Sequence, residues 1–122
     1  KNNMLNEDNI LEQYTKKEDI NRIFELITNK KIIKTSHFYD RLVFRDLSEN
    51  LIDETLPQKD KIRLIDKRKH KKDIGYDLYY ELNGNKTLKL CFILLKNITL
   101  LINAILRHRR WQGSIRFLNR RS

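Results

Sequence analysis

The second half of the chain alternates apolar and polar residues so regularly that it predicts a β-sheet. Between residues 76 and 82, apolar or aromatic residues occupy every second position. Asn83-Gly84 then gives a hairpin signal, and the β-branched stretches 87–95 and 98–106 follow, separated by Lys96-Asn97. With a first strand starting near residue 61 and a charged loop at 67–73 after it, the sequence predicts a four-stranded antiparallel meander.

The first half of the chain has the periodicity of helices instead. Ile20, Ile23, Phe24 and Ile27 are spaced as one face of a helix. The preceding Thr15-Lys16-Lys17-Glu18 is typical of a capping box, which would begin that helix. Shorter helices are predicted at 7–14, after Thr35 or Ser36, and between Ser48 and Pro57.

These patterns together predict an α+β fold in which N-terminal helices pack on one face of the sheet. The length of 122 residues suits one domain. We divide it into a helical part (7–56), an antiparallel sheet (61–106) and a basic C-terminal tail (107–122). The apolar segment 91–106 is interrupted by Lys96-Asn97 and is shorter than a membrane-spanning helix, so no membrane partner is expected.

Charge is distributed unevenly between the two halves. Residues 1–60 carry 10 Lys and Arg against 12 Asp and Glu, whereas residues 61–122 carry 16 against 4. A basic half beside a nearly neutral half is typical of proteins that contact a polyanion, and RNA is the partner that we expect. The alternative is general basicity without a specific partner. The single cysteine, Cys91, and the lack of an apolar leader fit a cytoplasmic location.

Three basic residues of the helix after Ser36 could act on a phosphodiester. His37, Arg41 and Arg45 are spaced i, i+4, i+8 and would form one row beside Phe38 and Leu42. Arginine binds phosphate oxygens bidentately, and histidine exchanges a proton near neutral pH. We therefore name them as candidate catalytic residues; the alternative is a solvated helix face.

A second set of residues could bind the RNA backbone or its bases. Cations would contact phosphates and an indole would stack on a base, whereas the alternative is solvated arginines around a packed tryptophan. Tyr79 points away from Tyr76 and Tyr80, where it could stack or simply pack. The candidate RNA-binding residues are Arg63, Lys67, Arg68, Tyr79, Arg107, Arg109, Arg110 and Trp111.

No cofactor or metal site is predicted. The three glycines are isolated and form no phosphate-binding loop, and the three histidines lack zinc-ligand spacing. A metal-nuclease set made of Asp66, Asp77 and Glu81 lacks a suitably spaced lysine.

The order of these features resembles a known group of small prokaryotic proteins. His-Phe-x-x-Arg-x-x-x-Arg on a helix, a short Ser-capped helix, and strands ending in Arg-Arg-Trp look like the RelE/ParE superfamily, in particular its BrnT-like and archaeal uncharacterised branches. The resemblance covers roughly residues 35–112. It implies a toxin of a toxin–antitoxin pair that cleaves mRNA, in some cases on the ribosome, without a metal ion. His37 would then be the acid or base, with Arg41, Arg45 and Arg63 on the phosphate.

Two other functions stay open: a non-catalytic nucleic-acid-binding module or regulator, and a protein-interaction domain. The last two strands are apolar on both faces, since Ile93, Leu95, Leu101 and Ile105 are expected on the side away from the helices. Either the tail, through Trp111, Ile115 and Phe117, covers this face, or a partner does. That partner would be a second copy of the chain or an acidic antitoxin.

Overall fold

The structure is a computed structural model, and it describes residues 10–116. Four strands of the second half form an antiparallel meander: β3 (Ile62–His70), β4 (Asp73–Asn83), β5 (Lys86–Leu94) and β6 (Ile98–Arg107). Two further strands come from the first half, β1 (Ile10–Tyr14) and β2 (Lys31–Lys34). The helices are α1 (Lys17–Thr28), α2 (Ser36–Arg45) and α3 (Glu49–Thr55), and short 3₁₀ turns lie at Lys59–Lys61 and Trp111–Ser114.

The α+β class is confirmed, but the prediction of a sheet with four antiparallel strands is wrong. The sheet has six strands in the order β1-β3-β4-β5-β6-β2, and β2 runs parallel to β6. The predicted helix at 7–14 is replaced in its described part by β1, which pairs with β3. The part of the chain assigned to helices therefore supplies both outer strands of the sheet.

One face of the sheet and the three helices share a continuous apolar core. Ile23 and Ile27 of α1 are almost fully buried, as are Phe38 of α2 and Ile52 of α3. Thr35 and Ser48 begin α2 and α3, because each hydroxyl accepts a hydrogen bond from a backbone N–H of the first turn. The capping box predicted at Thr15 is not formed, since α1 begins after Lys16 without a side-chain cap.

A β-bulge in β6 decides which residues of that strand face the helices. Cys91 pairs with Asn103 and Phe92 pairs with Leu101, so Ile102 is the extra residue. The bulge reverses the alternation: Leu101 is fully buried in the core, and Asn103 and Ile105 lie on the other face. The expectation that Leu101 lies on the outer face was therefore wrong. Within residues 10–116, no helix is long and apolar enough to span a membrane.

Candidate nucleic-acid interface on the open face of the sheet

The face of the sheet that the helices leave uncovered holds a cleft of about 630 Å³. Gly75 lies at its floor between Arg68 of β3 and Ile93 of β5, because these three residues pair across the sheet. Since glycine has no side chain, the sheet surface is lowered at this point. A Cβ atom added to Gly75 would approach the backbone oxygen of Phe92 to 3.1 Å, so the backbone of the neighbouring strand β5 comes close to this position.

A buried carboxylate lies beside the cleft. Asp66 is 1% exposed, and its two oxygens accept hydrogen bonds from Gln13 Nε2 (2.7 Å) and Tyr79 Oη (2.8 Å). Burial raises the pKa of Asp66 above the usual carboxyl value, while these two donors act in the opposite direction. Burial and the charge of Asp66 also raise the pKa of Tyr79, which keeps its hydroxyl protonated as the donor.

A second carboxylate, Asp77, is paired with two cations. Its Oδ2 accepts a hydrogen bond from Arg68 Nε and lies 3.6 Å from Lys89 Nζ. Lys89 also lies over the ring of Tyr79, with 5.5 Å between the ammonium nitrogen and the ring centroid. Two carboxylates and two cations thus leave the polar part of the floor close to neutral, with its charges mutually compensated.

Cys91 lies on the same floor, next to Asp77. Its thiol is buried, and burial together with the Asp77 charge raises the pKa of the thiol well above its ordinary value. Since the thiolate is the nucleophilic form of cysteine, this residue packs as a small apolar side chain in the neutral thiol state.

Cations at the rim of the cleft give it a positive charge that the floor does not compensate. Among residues 10–116, no carboxylate forms an ion pair with Lys69, Arg107 or Arg116 at the rim. Gln13 holds Arg116 at the rim, because its Oε1 accepts a hydrogen bond from the backbone N–H of Arg116 and its Nε2 donates to the carbonyl oxygen of Ser114 at 2.9 Å. The rim cations are Lys69, Arg107 and Arg116, with His70 beside them.

The row of candidate catalytic residues lies on α2, at the edge of β6. Arg41 Nε donates to His37 Nε2 at 3.3 Å, and this contact is exposed to solvent. Arg45 points to the strand instead: its Nη1 donates to Asn103 Oδ1 at 2.6 Å and approaches the carbonyl oxygen of Ala104 at 3.5 Å. Burial and the nearby Arg41 lower the pKa of Arg45. Arg45 thus connects α2 to β6 and fixes Asn103, which lines the cleft.

The candidate RNA-binding residues lie in separate places. Arg68 and Arg107 line the cleft, and Arg109 and Arg110 are exposed beyond β6. Lys67 lies on the helix side, with its Nζ 3.8 Å from a carboxylate oxygen of Glu12. Tyr79 is 2% exposed, so its ring has no free face for a base.

Arg63 and Trp111 lie at another end of the molecule. Arg63 Nε donates to Glu81 at 3.0 Å, and its Nη1 donates to the carbonyl oxygen of Asp60 at 2.6 Å. Both residues line a smaller pocket of about 380 Å³ near the start of α1. Trp111 Nε1 is buried there and has no hydrogen-bond partner among residues 10–116. Trp111 therefore does not cover the outer face of β5 and β6 as expected, and Phe117 lies outside the described residues.

Sequence reasoning missed two residues of the cleft, Lys89 and Asn103, and considered Asp77 only as a member of a metal-nuclease set. Lys89 lies between Leu88 and Leu90, and Asp77 lies between Tyr76 and Leu78. A charged residue at the centre of a strongly apolar strand is a signal for a buried ion pair or a site, and it was available in the sequence. The identity of the partners was not, because it depends on the strand register.

No family model, curated protein or solved structure matches the chain significantly. Within residues 10–116, no group of three or more His, Cys, Asp and Glu side chains is arranged to hold a metal ion.

Proposed function

We propose that the protein binds RNA through the cleft on the open face of its sheet. The observation that carries this proposal is the charge of the cleft: Asp66 and Asp77 are satisfied within the floor, and Lys69, Arg107 and Arg116 remain at the rim without a carboxylate partner among the described residues. Unpaired cations along an open surface attract a polyanion. RNA is the polyanion that the RelE/ParE resemblance implies.

Fluorescence polarisation with a labelled single-stranded RNA at several salt concentrations tests this proposal. We expect the logarithm of the association constant to fall linearly with the logarithm of salt, with a slope of about −0.7 for each neutralised phosphate. Arg107→Ala should make that slope shallower by about one phosphate contact. Arg22→Ala is the matched control, because Arg22 lies on α1 and is paired with Asp19. Absence of binding at low salt, or a slope near zero, would refute RNA binding.

RNA cleavage is a second proposal, supported by the exposed contact between His37 and Arg41 and by the position of Arg45 beside the cleft. In a metal-independent reaction, a base would take the proton of the ribose 2′-hydroxyl as its oxygen attacks the phosphorus, and cations would stabilise the charged phosphorane. An acid would then protonate the 5′-oxygen as its bond to phosphorus breaks. His37 is the candidate for proton transfer, and Arg41 is the candidate for the phosphate.

Cleavage of RNA in excess chelator, with and without ribosomes, tests the second proposal. We expect His37→Ala and Arg41→Ala to abolish cleavage without unfolding the protein, because both side chains are outside the core. His108→Ala is the matched control, since His108 is exposed and lies outside the row. Unchanged cleavage in both variants would reject the catalytic assignment, and an inactive wild type would reject the ribonuclease proposal but leave RNA binding standing.

A protein partner, either a second copy or an acidic antitoxin, is proposed to contact α2. Val43 and Phe44 on this helix are 82% and 79% exposed, which is unusual for neighbouring large apolar residues. Sedimentation at micromolar concentration should show a dimer, or a complex when the partner is present, and Phe44→Ser should weaken either. This surface would be rejected if the wild-type protein is a monomer and Phe44→Ser binds the partner as tightly as the wild type does.

A further inference from the structure

The two sides of the cleft differ in chemistry. Ile93 of β5 and Ile102 and Ile105 of β6 form an isoleucine wall on one side, below the rim cation Arg107, whereas Arg68 and His70 of β3 line the other side. Gly75 belongs to β4, and the strand order places β3 on one side of it and β5 and β6 on the other, so the isoleucine wall and the charged residues of β3 face each other across the floor. A phosphate backbone alone would use the cations and leave the isoleucine wall without a role.

We propose that the cleft binds one unstacked nucleotide of a single-stranded RNA, with the base against the isoleucine wall and its phosphate at the cationic rim. This inference rests on the proposed function and specifies its substrate class. The faces of bases are the large apolar surfaces of RNA, and only unpaired nucleotides present them to a protein. A duplex keeps these faces stacked and can offer the cleft only its phosphates and grooves. The cleft volume of about 630 Å³ lies within the roughly 300–1,000 Å³ typical of sites for small ligands.

Asn103 supplies a polar group at the apolar wall. Its Oδ1 accepts hydrogen bonds from Arg45 Nη1 at 2.6 Å and from the backbone N–H of Ala104 at 2.9 Å. These two contacts fix the side chain and leave the Nδ2 group as the donor that Asn103 can offer. An amide donor held beside an apolar surface suits a carbonyl oxygen or ring nitrogen at the edge of a base. Arg45 is then a positioning residue that acts through Asn103.

Competition experiments with the full chain test this inference. A labelled 12-nucleotide single strand should bind at least tenfold more tightly than a duplex of the same length. Unlabelled nucleoside monophosphates should displace it, and inorganic phosphate at equal ionic strength should displace it much less. Both comparisons use the wild-type protein and do not depend on the folding of any variant.

Substitution of the apolar wall gives an independent test. Ile105→Ala should weaken single-strand binding about fivefold or more and leave the salt slope unchanged, because a base contact carries no counterion release. Ile33→Ala is the matched control, since Ile33 is a partly exposed isoleucine on β2 outside the cleft. Asn103→Ala should change the preference among the four monophosphates, and Arg45→Ala should change it in the same direction.

The outcomes separate this inference from RNA binding itself. Equal affinity for single and double strands, or equal displacement by phosphate and by nucleotides, would overturn the nucleotide site while RNA binding stands. Unchanged affinity in Ile105→Ala would do the same. If an amphipathic organic acid binds the cleft more tightly than any monophosphate, the site belongs to another ligand class. Failure of every RNA to bind at low salt would refute both proposals.

Discussion

Removal of the Tyr79 hydroxyl should destabilise the protein in a pH-dependent way. Tyr79 Oη donates to Asp66 Oδ2 at 2.8 Å, and the two residues are 2% and 1% exposed. Because water cannot replace this donor without opening the structure, Tyr79→Phe leaves the buried carboxylate with one hydrogen bond fewer. A hydrogen bond to a charged group contributes about 1.5–3 kcal/mol. For a chain of this size, the loss corresponds to a decrease in Tm of about 5–10 °C near neutral pH.

The pH dependence follows from the pKa of Asp66, which burial raises above its unfolded value. Because the carboxyl pKa is higher in the folded state, the contribution of this group to the free energy of unfolding is fully present below the unfolded pKa. That contribution is lost as the pH rises through the folded pKa. Tyr79→Phe removes a donor that favours the charged form, so the pKa of Asp66 rises further and the total loss should be larger in the variant and extend to higher pH. Below the pKa of Asp66 the carboxyl is neutral, and the penalty should shrink to that of a neutral hydrogen bond, about 0.5–1.5 kcal/mol.

Tyr80→Phe is the matched control for this prediction. Tyr80 is the neighbouring residue and is fully buried, and its hydroxyl donates at 2.7 Å to the backbone carbonyl oxygen of Leu56. Since that acceptor does not titrate, the cost of Tyr80→Phe should be the same at every pH. Urea unfolding of both variants and the wild type between acid and neutral pH measures the difference. A Tyr79→Phe penalty that is constant with pH, or no larger than the Tyr80→Phe penalty at neutral pH, would refute the proposed role of the buried carboxylate.

Two further predictions concern the contact between α2 and β6 and the floor of the cleft. Arg45→Ala should lower the free energy of unfolding by about 1–3 kcal/mol in urea denaturation, because it removes a charged donor from Asn103; an unchanged midpoint would show that the contact is not stabilising. Gly75→Ala should destabilise by about 1 kcal/mol, since the new Cβ would press on the backbone oxygen of Phe92 in a central strand. Gly84→Ala meets no atom within 4 Å and should be neutral or stabilising by about 0.4–1 kcal/mol in the same assay; equal effects at both glycines would contradict the packing argument.

Local pattern was sufficient to predict most elements of the fold. The i, i+3, i+4, i+7 spacing from Ile20 to Ile27 predicted α1, and the hydroxyls of Ser48 and Thr35 marked the starts of α3 and α2. The alternation around Tyr76 and Tyr80 predicted β4. These elements are specified by residues close in sequence, because amphipathic periods and caps act within one or two turns or along one strand.

The outer strands were missed because short segments carry little periodic signal. β1 and β2 have five and four residues, and each is stabilised by a partner far along the chain, β3 and β6 respectively. Residues 67–73 were assigned to a charged loop, but most of them extend β3 and β4. Lysines are disfavoured in isolated strands, and here cross-strand pairing overrides that preference.

The composition of the cleft was decided by the tertiary structure alone. Sequence identified Arg68 and Arg107 as candidate contacts, and the structure brings both to the same cleft. The sequence could not show that Asp77 pairs with Lys89. Nor could it show that the bulge at Ile102 turns Leu101 into the core and Asn103 towards the cleft. Both outcomes depend on strand register, which is set by the packing of the whole sheet and reverses the facing of every residue when it shifts by one position.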